Sequence, residues 1–289
     1  MQANERWWVL LFIAPVMTLL LSLNIIPLIY SVWLAFHNWT IATRLSPPFV
    51  GIENFVKLFQ DSRFGNSLLN TLVFMATAVS VEFLFGLAIA LALTKRSIRG
   101  TRVFRTAVTI PMMIAPIVVG YTFRLLFHPS AGPINHFLSS VGMGWVNWIG
   151  SSKVALFSVC IADIWEWTPF MALILWSGIY SQPLDIHEAA MVDGASSWKL
   201  FRYVTLPLLT PIIMVCWMLR IVDAFRTFDI VYILTGGGPG FSSEVVSLYT
   251  YKTAFSFFKM GYAAAMSFIL LIIAIIVVSQ FFSKFIKQR

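Results

Sequence analysis

Long apolar runs alternate with short polar connections along this chain, at the spacing of a bilayer and not of a soluble core. Six runs stand out, at positions 8–33, 68–93, 103–127, 154–180, 206–234 and 263–285. Each is about as long as the 20-residue helix that crosses roughly 30 Å of hydrocarbon. The runs are continuous, where strands of a closed barrel would alternate apolar and polar positions. The expectation is an all-α polytopic membrane protein with six transmembrane helices. Pro111 and Pro116 in the third run, and Pro169 in the fourth, are expected to kink their helices.

One connection breaks the rhythm. Positions 181–207 form a polar, small-residue island far longer than a reversal of direction needs. Pro183 sits near a helix start, and Leu184, His187, Ala190 and Met191 share one face at helical spacing. Asp185 and Glu188 fall near the N-terminal end, where the helix dipole favours acids. Ala189, Ala190, Gly194 and Ala195 keep the surface low, so that another backbone can approach. Gly194 permits a sharp bend between two short helices. Trp198, Leu200, Phe201 and Val204 then lead into Leu206 and Pro207, and Pro207 suits the first turn of the fifth span. On the residues alone, a docking element for a soluble partner and an amphipathic interfacial loop fit equally well.

Composition agrees with a membrane chain. Of the 289 residues, 59% are hydrophobic and 11% charged, against about 25% charged in soluble domains. The mean hydropathy is +0.83. The net charge of +8 is explained by topology and contact with anionic lipid, with no nucleic acid implied. Lys95, Arg96, Arg99, Arg102 and Arg105 crowd the second connection, and Lys284, Lys287 and Arg289 crowd the tail. Basic residues concentrate on the cytoplasmic side. Both termini and the 94–105 and 181–205 connections are therefore expected in the cytoplasm, with 34–67, 128–153 and 235–262 outside. Arg6 precedes a first run too long for a secretory signal, so that run is read as retained.

Catalytic and metal chemistry find no constellation. Cys160 and Cys216 lie inside spans without CxxC spacing and are read as packing residues. His37, His128, His136 and His187 are scattered. The glycine run 236–240 lacks the Lys and Ser/Thr of a nucleotide loop and reads as an outer-face turn.

The island carries a resemblance. Glu188-Ala189-Ala190, then Asp193-Gly194-Ala195, Phe201 and Leu206-Pro207, resembles the EAA loop of binding-protein-dependent ABC importer permeases. The blocks from Phe228 to Pro239 and from Phe49 to Phe55, with Asn70-Thr71, Tyr249-Thr250-Tyr251 and Ala254-Phe255, are similar to the carbohydrate (maltose and glycerol-phosphate type) branch. The likeness spans nearly the whole chain and implies a type I ABC importer permease fold, with residues 1–289 as one transmembrane domain. It implies a bacterial or archaeal cytoplasmic membrane, and a coupling element at 181–207 seated on a cytoplasmic ATPase. The implied partners are a second homologous permease subunit, two ABC ATPase subunits that bind ATP and Mg, and an extracytoplasmic solute-binding protein. This chain would itself hold no cofactor and would import a sugar or polyol.

Charges inside the spans are costly and usually face a cavity or a partner. Asp163 and Glu166 lie one turn apart in the fourth span; Arg220, Asp223 and Arg226 recur every three residues in the fifth. A Glu166–Arg220 pair at similar depth is expected. With Trp165, Trp167 and Trp217 nearby, it suits sugar hydroxyls and C–H faces. Pairing of Arg220 with Asp223, or with the partner permease, suits the same residues structurally. Glu82 is structural or cavity-lining, and Arg124 and Asp229 read as interface anchors. Trp7, Trp8, Trp33, Trp39, Trp145 and Trp148 read as an aromatic belt. Asn135, Asn147 and the loop at Gly132-Pro133 fit binding-protein contact or a solvated loop. An ion-driven secondary transporter using Glu166, Asp163 and Asp223 lacks the inverted repeat of that class, and a membrane enzyme lacks its catalytic set.

Overall fold

A computed structural model describes residues 3–94 and 101–287, less several side chains near the ends of these segments. Thirteen α-helices follow in order among the described residues. They are α1 (Ala3–Ala35), α2 (Glu53–Gln60), α3 (Ser62–Thr94), α4 (Thr101–Thr109), α5 (Pro116–Leu126) and α6 (Pro133–Ser140). Then come α7 (Ala155–Tyr180), α8 (Leu184–Val192), α9 (Ser197–Leu200), α10 (Leu206–Phe225), α11 (Asp229–Leu234), α12 (Val246–Tyr251) and α13 (Met260–Lys287). The basic cluster at Lys95, Arg96 and Arg99, and the terminal Arg289, lie outside the described residues.

Five helical segments among the described residues are long and apolar enough to cross a membrane: Leu11–Ala35, Ser62–Thr94, Ala155–Tyr180, Ser197–Phe225 and Met260–Gln280. The expected third span is not one helix. It is divided into α4, a 3-10 turn Pro111–Met113, and the apolar helix α5. Two prolines explain the division. Proline lacks an N–H and disfavours helical geometry at the residue before it, and Ala115, before Pro116, is extended at ψ 138. The expected fifth span is likewise shorter. It ends at Phe225, and α11 begins only at Asp229. Pro169 is accommodated within the continuous α7.

The chain divides into two compact units. One holds residues 1–62 and 250–273. There Ala35, Ala264 and Ala265 pack with Phe36 and Phe55. Asn54 Nδ2 donates to the Ala35 carbonyl at 2.8 Å and closes the end of α1. Along α1, Phe12, Ile13, Leu23 and Ile26 point outward, as a lipid-facing span requires.

The other unit holds residues 63–249 and 274–289. Its core includes Phe74, Val119, Phe123, Val159, Met171 and Val231. Both cysteines are free and buried here. Helices approach closely where side chains vanish: a Cβ on Gly86 of α3 would stand 2.6 Å from Met171 Cβ and 3.0 Å from the Ala172 nitrogen of α7. Small residues at such crossings are the usual means of tight helix packing in membranes.

Candidate functional site: a charged cavity and an exposed two-helix loop

Arg220 of α10 is the largest fully buried side chain among the described residues, 1% exposed. A guanidinium cannot be left alone in a low-dielectric interior, and three carboxylates surround it. Nε and Nη2 donate to the two oxygens of Glu82 on α3, at 2.7 and 2.9 Å. Nη2 also donates to Asp163 of α7 at 2.5 Å, and Nη1 to Asp223 at 2.7 Å. The Trp167 ring covers the guanidinium at 4.9 Å, a cation–π contact. Asp223 is shared with Arg226, whose Nη2 donates to it at 3.0 Å.

The expected Glu166–Arg220 pair does not form. Arg220 is committed to Glu82, Asp163 and Asp223 instead. The reason is rotational: Asp163, one turn before Glu166, presents its carboxylate to the guanidinium. Glu166 is 1% exposed, and its Oε2 has no hydrogen-bond partner within the chain. Glu82, whose role the sequence leaves open, is 0% exposed and a principal ligand of Arg220. A buried acid in an apolar run is the signal, but its partner lies 138 positions away.

Beside this cluster lies a cavity of about 420 Å3. Asp163, Glu166 and Trp167 of α7 form one wall. Most of the remaining lining comes from the two places where a span is interrupted, with Asp223 of α10 and Ile230 of α11 beside them. Met112, Ile114 and Pro116 come from the break before α5, and Arg226, Thr227 and Phe228 from the break between α10 and α11. Irregular backbone at membrane depth is tolerated where it lines a cavity, and both interruptions do so. Asp229, read as an interface anchor, also lines this space. Trp165 and Arg220 stand outside the lining: Trp165 packs edge-on against Phe123, and Arg220 lies behind Trp167. Trp217 packs against Phe83. Arg124 donates to the Ile233 carbonyl at 3.1 Å, joining α5 to α11.

The 181–207 island forms two short helices, α8 and α9, then a π-helical turn Phe201–Thr205 that runs into α10. Pro183 is the residue before α8. Gly194 has φ +77, the left-handed region that glycine enters freely, and the Ala195 N–H closes back on the Ala190 carbonyl at 3.0 Å. Ser196 caps α9 at Lys199 N. Glu188, Ala189, Asp193, Gly194 and Pro207 are exposed; Ala190, Ala195, Phe201 and Leu206 are half-buried. Met191, Val192, Trp198 and Tyr203 form an exposed apolar set, with Val192 at 87%.

Thr205 ties this loop to the spans. Gln182 Nε2, just past α7, donates to the Thr205 carbonyl at 3.0 Å. His187 of α8 touches Thr205 Oγ1 at 3.3 Å and the Pro183 carbonyl at 3.1 Å. Periodicity alone places His187 on a face of α8 and says nothing of this tether.

Asn135 is not available to a partner. It is 4% exposed; its Nδ2 donates to the Val146 carbonyl, and its Oδ1 accepts from Trp148 Nε1 at 3.0 Å. Asn147 accepts from the Gly150 N–H at 2.9 Å.

Helices interrupted at a charged cavity, together with an exposed and rigidly tethered two-helix loop, define a membrane transport subunit. The chain belongs to the family of binding-protein-dependent transport system inner membrane components, which it matches over residues 82–289. It is 39% identical over 251 residues to a trehalose/maltose transport system permease protein of Thermococcus litoralis, covering 87% of this chain and 83% of that one. It is 31% identical over 278 residues to a sulfoquinovosyl glycerol transport system permease protein of Agrobacterium fabrum, covering 96% and 90%. In fold it is similar to a chain of a bacterial ABC transporter that imports the acidic polysaccharide alginate, with TM-score 0.86, 22% identity and coverage of 98% and 96%. The chain is therefore an ABC permease, a transport component and not an enzyme.

Proposed function

We propose that this permease imports a sugar or polyol as one transmembrane domain, residues 1–289, driven through the 181–207 loop by separate ATPase subunits. The relatives named for saccharide transport support the cargo class. The observation that carries the coupling is the loop's geometry: two short helices bent at Gly194 and tethered through Thr205 to the end of α7 and the start of α10.

Glu188, Ala189, Ala190, Asp193, Gly194 and Ala195 form the seat for the ATPase, with Phe201, Leu206 and Pro207 carrying the load into α10. Met191, Val192, Trp198 and Tyr203 supply apolar area for that contact. The loop and both termini face the cytoplasm. ATP and Mg are held by the two ATPase partners, and their closure moves the loop as a rigid body. A second permease subunit completes the path, and a solute-binding protein delivers cargo from outside. Glu166, Trp167, Asp223 and Arg226 meet the cargo in the cavity; Arg220 and Trp165 hold that wall in place.

The test is uptake into vesicles containing the permease pair. Uptake should require the ATPase subunits, ATP and the binding protein. Accumulation that persists without the ATPases would overturn the reading.

A further inference from the structure

Among the described residues, Glu166 Oε2 is a buried oxygen with no hydrogen-bond partner, whereas Glu82, Asp163, Arg220 and Glu244 are all paired. Four of the five N–H donors of Arg220 are spent on Glu82, Asp163 and Asp223, so the base nearest the site is already neutralised. Arg226, at the cavity wall, is bound to Asp223. What remains facing the space is the Glu166 carboxyl, its buried Oε2 uncommitted, together with Asp229, which lines the same cavity. Acids outnumber bases around the cavity and the cluster behind it.

We infer that the cavity selects its cargo by charge: Glu166 accepts a hydrogen bond from a hydroxyl or amine of a saccharide, and acidic saccharides are rejected. This rests on the importer reading and narrows its cargo class. A carboxylate can only accept hydrogen bonds when ionised, and an anion brought beside a buried one meets repulsion that water screens less than at an exposed site. An amine on the cargo meets attraction instead. The volume, about 420 Å3, lies within the ordinary range for small-ligand sites. Trp167 adds an indole face beside Glu166, suited to the C–H surface of a sugar ring.

The test is equilibrium binding to the complete transporter, permeases with ATPases, without the binding protein, so that the receptor's own selectivity does not enter. Three disaccharide probes of like size are titrated into the millimolar range: trehalose (neutral), the chitosan disaccharide (two amines) and digalacturonate (two carboxylates). The expected order is amine-bearing, then neutral, then acidic, with the first and last at least about tenfold apart. Glu166→Gln should cut the amine probe's advantage over trehalose about tenfold. Asp229→Asn, on the half-exposed wall, should give a smaller loss in the same direction and serves if the first variant fails to assemble. Digalacturonate binding as tightly as trehalose, no saturable binding by any probe, or an order unmoved in both variants would each overturn the inference. None of those results bears on ATP dependence of uptake, and ATPase-independent uptake would sink the importer reading while leaving the charge order standing.

Discussion

Arg220 on α10 and Glu82 on α3 form a two-point ion pair, at 2.7 and 2.9 Å, with both side chains sealed from solvent. With Asp163 of α7 on the same guanidinium, one side chain fastens three spans. Removing a single partner from such a buried cluster strands its opposite charges, which costs about 3–5 kcal/mol. Arg220→Met should therefore lower the melting temperature of the purified complex sharply. In a double-mutant cycle of Glu82→Gln and Arg220→Gln, the coupling should be about 2 kcal/mol. Additive effects would show that the two residues do not act as a pair.

Two helix crossings make a matched comparison. At Gly86 a new Cβ collides with the Met171 Cβ and the α7 backbone, atoms that cannot retreat without moving the helix. At Gly178 the nearest atoms are Ile212 Cδ1 and Leu209 Cδ1, the ends of flexible side chains. Gly86→Ala should cost about 1–3 kcal/mol of stability, and Gly178→Ala less than about 1 kcal/mol. Thermal unfolding of the two variants side by side decides the order.

Gly194 has φ +77 with open space around its missing side chain. Substitutions there meet backbone strain alone, about 1–2 kcal/mol for a residue other than Gly or Asn. Gly194→Val should assemble normally, hydrolyse ATP with its partners and lose most transport per ATP consumed. Gly194→Asn should stay close to the parent, because Asn tolerates this conformation. Equal transport by the Val variant would remove the loop from the coupling path.

The Thr205 node predicts a milder uncoupling. Gln182→Leu deletes the hydrogen bond to the Thr205 carbonyl, a loss of about 0.5–1.5 kcal/mol. Transport per ATP should fall while stability changes little, and Gln182→Asn, with the amide set back by one methylene, should not restore it. A variant with an unchanged ratio would assign the contact to folding only.

Glu166→Ala should lower uptake more than assembly, because Glu166 makes no hydrogen bond through Oε2 that the fold would miss. Quantifying complex in the membrane alongside initial uptake rate separates the two effects.

The spans are legible in the sequence because an unbroken apolar run of about 20 residues matches the hydrocarbon thickness and fits poorly in a soluble fold. The bend at Gly194 is legible because few residues accept its geometry. The division at Pro111 and Pro116 is visible as a kink but not as a full interruption, since sequence does not tell whether neighbours will satisfy the freed carbonyls. The pairing of Arg220 with Asp223, three residues on, is legible, but its partners on other helices are not. Periodicity fixes which residues share a helix face, yet the rotation of one helix against another decides whether Asp163 or Glu166 meets the guanidinium. The contact of Arg63 with Glu244, at 2.6 Å across 181 positions, is not legible either, because nothing local links two positions so far apart in the chain. The π-helical turn ahead of α10 has no sequence signature.

The two span interruptions at the cavity have an evolutionary corollary. Met112 and Thr227 line the cavity from outside any α-helix and are absent from the core cluster, whereas Ile114 and Phe228 beside them pack against it. A lineage could retune its diet by editing the first two positions while the pinned scaffold and the motor connection stayed as they were.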